Sequence, residues 1–374
     1  MMKHNADNER IKRKYFIFLK EAKRQNESSV DAVAKAVSRF EPYTKYRDFK
    51  TFHFEQAVGF KNHLAKQNNQ QTGQKLSKAT LNSTLGQLKA FFQWLAMQSG
   101  YKSRINYTNT EYFNLSEKEV RIATARRKKA VPTLEQIKHV IQTMPNHSAI
   151  EQRNRGLIAF TLLTGARDSA IASMKLKHID IIGHSVFQDA REVNTKFSKT
   201  FTTFFFPVGD DIQQIVVDWV CYLKEELLWG NDDPLFPKTK VISGEDRVFK
   251  ASGLMQEHWS TASPIRAIFR EVFEAADLPY FNPHSFRNTL VTLGQKICLS
   301  PEEFKSWSQN LGHEDVLTTL YSYGEVQQHR QGEIFEQLKS PRVAANTNQN
   351  ADDIAQVVIK AMANQTAANL GRVV

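Results

Sequence analysis

The chain has 374 residues, 41% hydrophobic and 24% charged, a balance typical of soluble globular proteins and long enough for two domains with their own cores. No apolar run nears the roughly 18 residues of a membrane span, the start MMKHNADNERIKRKY lacks an apolar signal stretch, and two cysteines, Cys221 and Cys298, cannot build a disulfide framework, so a reducing cytoplasm without membrane association is expected. The net charge of +11 is lopsided: residues 1–130 carry 26 Lys+Arg against 11 Asp+Glu and the rest carry 24 against 28, which suits a first half that holds a polyanion by its backbone, a solvated lysine-rich surface being the plainer alternative.

Residues 8–40 read as two helices, with Ile11, Tyr15, Phe16, Phe18 and Leu19, then Val30, Val33, Ala36, Val37 and Phe40 as apolar positions, and Pro42 is expected to break the second. From Thr51, TFHFEQAVGFKNHLAKQ has helical spacing, with Phe52, Phe54, Val58, Phe60 and Leu64 available to a core. A polar loop follows, and then LSKATLNSTLGQLKAFFQWLAMQ, where Ser77 caps a helix striped by Leu81, Leu85, Leu88, Phe91, Phe92 and Leu95. These features divide the first part into an N-terminal helical extension, residues 1–41, and a compact basic helical domain, residues 42–120.

A basic linker spans residues 121–132, with the run Arg126, Arg127, Lys128 and Lys129 ending near Pro132. Thr133 and Gln136 have capping-box spacing for the first helix of a second domain, residues 133–338. Its expected elements begin with helices over 133–144 and 149–164, the latter ending at Gly165, and a helix through RDSAIASMKL. The aromatic and β-branched stretch SVFQDAREVNTKFSKTFTTFFFPVG predicts two or three short strands. Helices resume over 210–229, 261–276, 285–297, 301–309 and 314–322. The expected fold class is mainly α with a small antiparallel β-sheet. In the tail, residues 339–374, only DDIAQVVIKAMAN has amphipathic spacing.

Phosphate-binding glycine loops, dinucleotide fingerprints and zinc-type Cys/His spacings are absent from the sequence, so no cofactor or metal is expected. What remains is a series of basic residues at turns. Arg167 follows the Gly165 turn, where a guanidinium and backbone N–H groups could meet one phosphate. His284 and Arg287 share one face at the start of a helix in NPHSFRNTLVTLGQ. His313 follows Gly312 in LGHEDVLTTLYSYGEV, ahead of Tyr321 and Tyr323. Each box alone is also an ordinary helix-start or surface feature.

The three boxes in this order, with the helical pattern before them, resemble the tyrosine recombinases, the integrase-type site-specific recombinases, over roughly residues 42–330. The resemblance implies a two-domain DNA clamp of a core-binding domain and a catalytic domain, acting as a tetramer on two sites in double-stranded DNA. A tyrosine hydroxyl would attack a phosphodiester, a 5′-hydroxyl would leave, and a 3′-phosphotyrosyl link would conserve the bond energy, so no nucleotide is needed. Arg167 and Arg287 would clamp the nonbridging oxygens, His313 would add a hydrogen bond, and His284 would assist proton movement at the nucleophile. Lys199, eight residues before Pro207, would protonate the leaving oxygen, with Lys196 as the alternative. Lys78 and the run Arg126, Arg127, Lys128 and Lys129 would contact DNA.

Two departures from the family pattern stand out. Nine residues after His313, where the family has its tyrosine, the chain has Ser322. The apolar register assigns attack to Tyr323, which has Val326 three residues on, and packing to Tyr321; Tyr321 stays as the alternative nucleophile. Ala170 stands where many members have an acidic residue, and Asp168 is the available substitute. Two other functions fit the same outline: a DNA-binding regulator that no longer exchanges strands, and a DNA-relaxing enzyme like the type IB topoisomerases.

Overall fold

The computed structural model describes residues 4–70, 73–125, 130–243 and 249–313. The chain forms two compact units, Met1–Arg127 and Lys128–Val374.

In the first unit, polar caps start most helices. Asn5 caps α1 (Ala6–Ile17), Asn26 caps α2 (Glu27–Tyr43) and Ser77 caps α4 (Lys78–Ala96), each accepting backbone N–H groups of the first turn. α3 is Phe54–Lys66, and α5, Glu117–Thr124, opens on a capping box of Ser116 and Glu119. Pro42 does not break α2 where expected. It sits in the last turn, and the helix ends one residue later at Tyr43. Phe54, expected in the core, is 43% exposed at the start of α3 and lies beside the Tyr112 ring, 5.0 Å between centroids.

The core of this unit is largely aromatic. Phe52 stacks on Phe92 with centroids 4.0 Å apart, and Phe40 meets Phe92 edge-on at 5.3 Å, geometries favoured by the ring quadrupole. Ile11, Tyr15, Val33 and Val37 belong to the same cluster as Phe60, Leu88 and Phe91, so residues 1–41 share one core with residues 42–120. A polar tie strengthens this union. Asn8, fully buried, donates to the Arg47 carbonyl at 2.9 Å and accepts from the Phe49 N–H at 3.0 Å.

The second unit comprises α6 (Leu134–Thr143), α7 (Ala149–Thr164), α8 (Asp168–Ile171), α9 (Asp210–Cys221), α10 (Ser263–Ala275), α11 (Pro283–Ile297) and α12 (Pro301–Asn310). α7 is buried on most sides, with Leu157, Ile158, Phe160, Leu162 and Leu163 all enclosed. An antiparallel sheet in the order β1 (Ile179–Asp180), β2 (Ser185–Gln188), β3 (Phe201–Phe204) pairs Ile179 with Val186 and Val186 with Thr203. A second antiparallel pair, β4 (Lys238–Ser243) and β5 (Phe249–Met255), was not expected. The helix expected through RDSAIASMKL stops at Ile171. The Ser173 hydroxyl bonds the Ala170 carbonyl and accepts the N–H of Asn194, drawing the chain into a turn.

The end of α12 is locked to the first sheet. Asn310 accepts the Phe204 N–H at 2.7 Å and donates to its carbonyl at 2.9 Å, acting as one more rung beside β3. The chain beyond it, Leu311 to His313, is thereby set against α7 and α11.

Candidate active site

α7 ends where Gly165 takes φ 60° and ψ 19°, a left-handed conformation that glycine adopts without steric cost. A Cβ here would come within 2.9 Å of a Leu290 methyl and 3.0 Å of a Leu311 methyl. The glycine therefore both turns the chain toward Arg167 and lets two other segments close over the turn.

Arg287, in the second turn of α11, is 4% exposed. Its Nη1 donates to the Gly165 carbonyl at 2.6 Å and its Nη2 donates to the Leu311 carbonyl. Nη2 also lies 3.0 Å from Nε2 of His313. A guanidinium has no acceptor atom, so His313 must accept at Nε2 and carry its single proton on Nδ1. The pKa of His313 falls to about 4, first from burial and then from the charges of Arg287 and Arg167. His313 is therefore neutral near pH 7. Arg287 Nε is buried and has no hydrogen-bond partner among the described residues.

Arg167 sits at the N-cap of α8 with extended backbone, φ −76° and ψ 146°. Among the described residues its half-buried guanidinium makes no hydrogen bond or ion pair. Burial, followed by the Arg167 charge, pushes the Arg287 guanidinium down to about 9. Two like charges that act on one another, with no carboxylate bonded to either among the described residues, favour an anion beside them. His284, in the first turn of α11, keeps an exposed edge. Desolvation lowers its pKa most, followed by the charges of Arg287, Arg167 and Lys196.

The two lysine candidates stand on the loop joining β2 to β3. Lys196 is exposed and lies 4.7 Å from the centre of the Phe197 ring, and its charge acts on His284. Lys199 is half-buried, and its charge acts on His313. Arg167, His284, Arg287 and His313 are thus gathered, with both lysines in electrostatic reach. Asp168, the available substitute for an acidic residue at 170, accepts from Arg266 Nε of α10 at 2.7 Å, while Ala170 is buried in the core. Its charge only slightly offsets the lowering of His284.

Lys78, at the start of α4 in the first unit, is ion-paired with Glu119 at 2.6 Å, and this contact together with the capping bonds of Ser116 pulls Glu119 down to about 2. Arg126, Arg127, Lys128 and Lys129 lie outside the described residues, as do Tyr321, Ser322, Tyr323, the expected helix 314–322 and the tail helix. Sequence reasoning missed the two carbonyls that hold Arg287, because a backbone oxygen leaves no trace in residue identity. Arg266 was missed because nothing in the sequence signals its pairing with Asp168, 98 positions away.

No family model matches the chain. It is 23% identical over 261 residues to proteins named tyrosine recombinase XerC from Lactobacillus leichmannii and Lactobacillus delbrueckii subsp. bulgaricus, covering 68% of this chain and 76% of each relative. The fold is shared with the Tn1549 transposon integrase solved in complex with transposon right end DNA, with a TM-score of 0.55 and 14% identity over 88% of this chain and 99% of that one. It is also shared with a lambda integrase dimer bound to a COC′ core site, with a TM-score of 0.56 and 11% identity over 86% of this chain and 98% of that one. Sequence similarity along two thirds of the chain, the common fold and the ordered basic boxes together make this chain similar to the tyrosine recombinases and integrases.

Proposed function

We propose that the protein is a site-specific DNA recombinase that cuts and rejoins double-stranded DNA through a covalent 3′-phosphotyrosyl intermediate. The observation that carries this reading is Arg287 held against the Gly165 and Leu311 carbonyls and His313 Nε2, with its charge and that of Arg167 acting together on His284 and His313. Phosphoryl transfer between two oxygen nucleophiles requires charge stabilisation and proton transfer, and these side chains supply both. The phosphate oxygens would sit against Arg167 and the remaining N–H groups of Arg287. The Tyr323 phenol would attack phosphorus in line with the departing 5′-oxygen, its proton passing toward His284. Lys199, or Lys196 in its place, would give the leaving oxygen a proton.

Both units are proposed to contribute DNA contacts, the first through its surplus of basic residues, with four protomers assembling on two sites. The division into core-binding domain, linker and catalytic domain belongs to the same reading, as does a cytoplasmic location.

The test is a duplex nicked beside the crossover, so that the cleaved end diffuses away and traps the adduct. Mass-spectrometric mapping of the DNA-linked peptide is expected to find Tyr323, and Tyr323→Phe to abolish the adduct while Tyr321→Phe retains it. A link at Tyr321 reverses the register assignment. Absence of any adduct sinks the enzymatic reading in favour of a DNA-binding regulator, and relaxation of supercoils without recombinant product favours the relaxing enzyme.

A further inference from the structure

The loop between β2 and β3 has two unlike halves. Its first half is pinned. The N–H of Asn194 donates to the Ser173 hydroxyl at 2.8 Å, and the Ser169 hydroxyl donates to the Asn194 carbonyl at 3.3 Å. Val193 is buried, and Asp189 uses its carboxylate within the loop, on Arg191. The second half, which bears Lys196 and Lys199, is strained. Phe197 and Ser198 have φ values of 61° and 51°, unfavourable for residues with a Cβ, and Phe197 is 78% exposed.

Glu192 grips another part of the molecule ionically. Its Oε2 lies 2.8 Å from Nζ of both Lys175 and Lys177, and the same two ammonium groups reach Asp232 at 3.2 and 2.9 Å. His178 completes the setting: its Nε2, buried and without a hydrogen-bond partner among the described residues, lies 3.9 Å from Glu192 Oε2. Ser169, Ser173, Lys175 and Lys177 all belong to the segment that follows Arg167. One stretch of chain therefore carries a phosphate-facing guanidinium at its start and, downstream, every one of these anchors of the lysine loop.

We infer that Glu192 is the positioning residue of the lysine loop, tying the segment that bears Lys196 and Lys199 to the segment that Arg167 begins. Resting on the strand-transfer reading above, the tie sets the distance between the ammonium group that protonates the leaving 5′-oxygen and the guanidinium that holds the phosphate. The step itself is unchanged: the phenol oxygen bonds to phosphorus, the P–O5′ bond breaks, and the ammonium proton passes to O5′. Glu192 touches none of these atoms.

Two measurements on the full chain test this. In the free protein, amide hydrogen exchange over residues 195–200 is expected to be about tenfold or more faster in Glu192→Ala, with α7 unchanged. Unchanged exchange in the loop overturns the inference, whatever the chain does to DNA. In the nicked duplex, an ordinary 5′-oxygen ester is compared with a 5′-bridging phosphorothioate, whose thiolate leaves without needing a proton. Glu192→Ala is expected to slow the oxygen ester about tenfold or more while the sulfur ester stays near the parent rate, because only the oxygen ester depends on the placed acid. Equal slowing of both esters, or of neither, overturns the inference. If the parent chain forms no covalent adduct with either ester, the strand-transfer reading fails and the exchange measurement decides the anchor alone.

Discussion

Arg287 and His313 meet at 3.0 Å, and chemistry fixes which of them gives the proton: the guanidinium can only donate, so the imidazole can only accept. Protonating His313 would break that bond and place a third positive charge beside two guanidiniums. The folded-state pKa of about 4 lies below the ordinary value of 6.5, so on acidification the unfolded chain takes up this proton first. Stability is therefore fully present above pH 6.5 and is lost as pH falls toward about 4, and the lowered pKa of His284 adds in the same direction. Urea midpoints measured across this window should fall with pH, and His313→Gln should flatten the decline. A profile equally steep in the variant would refute the assignment.

An anion seated between Arg167 and Arg287 should reverse this trend by favouring the charged imidazoles. Binding of a short DNA duplex near pH 6 is expected to take up protons, seen in calorimetry as a dependence of the apparent enthalpy on the buffer's ionisation heat. Proton release on binding would count against a phosphate at this position.

Removing the Arg287 side chain strands two buried carbonyls, those of Gly165 and Leu311. Arg287→Ala should cost about 2–4 kcal/mol in denaturant unfolding, since each buried acceptor left without its donor is expensive. Arg287→Lys should recover part of that stability while leaving DNA cleavage impaired, because an ammonium group cannot span both carbonyls and still face a phosphate.

Gly312, with φ 68°, lies where an added Cβ would stand 2.7 Å from the Phe201 ring. Gly312→Ala is expected to destabilise the chain by about 1–2 kcal/mol from the left-handed backbone alone. Because His313 follows directly, cleavage should fall further than stability explains, a difference visible when rates are compared at equal folded fraction.

Asn8 tests whether the first forty residues belong to the first unit. Its two hydrogen bonds, to the Arg47 carbonyl and from the Phe49 N–H, are buried, so Asn8→Ala should lower stability by about 2 kcal/mol. An unchanged unfolding curve would show that the N-terminal helix packs independently.

Much of the site could be read from sequence because its signals are local. The capping box of Ser148 and Glu151 with the left-handed Gly165 marks both ends of α7, and Asn282 with Pro283 marks the start of α11. Boundaries failed where distant contacts overrode local propensity. α8 stops short because Ser173 bonds a loop 21 residues further on. The β4–β5 pair escaped notice because its residues are mostly exposed and its charges interrupt any apolar alternation, leaving no period of two to detect. The partnership of Asp168 with Arg266 depends on tertiary packing that no spacing rule encodes.

The Arg287 guanidinium closes on carbonyls 122 and 24 residues away in the chain, against the repulsion of Arg167. Such a knot cannot tighten early: entropy and electrostatics both oppose it until the hydrophobic interior has already formed. Half-made copies therefore carry these basic groups dispersed along a loose polymer. Completion of folding is what assembles the cluster.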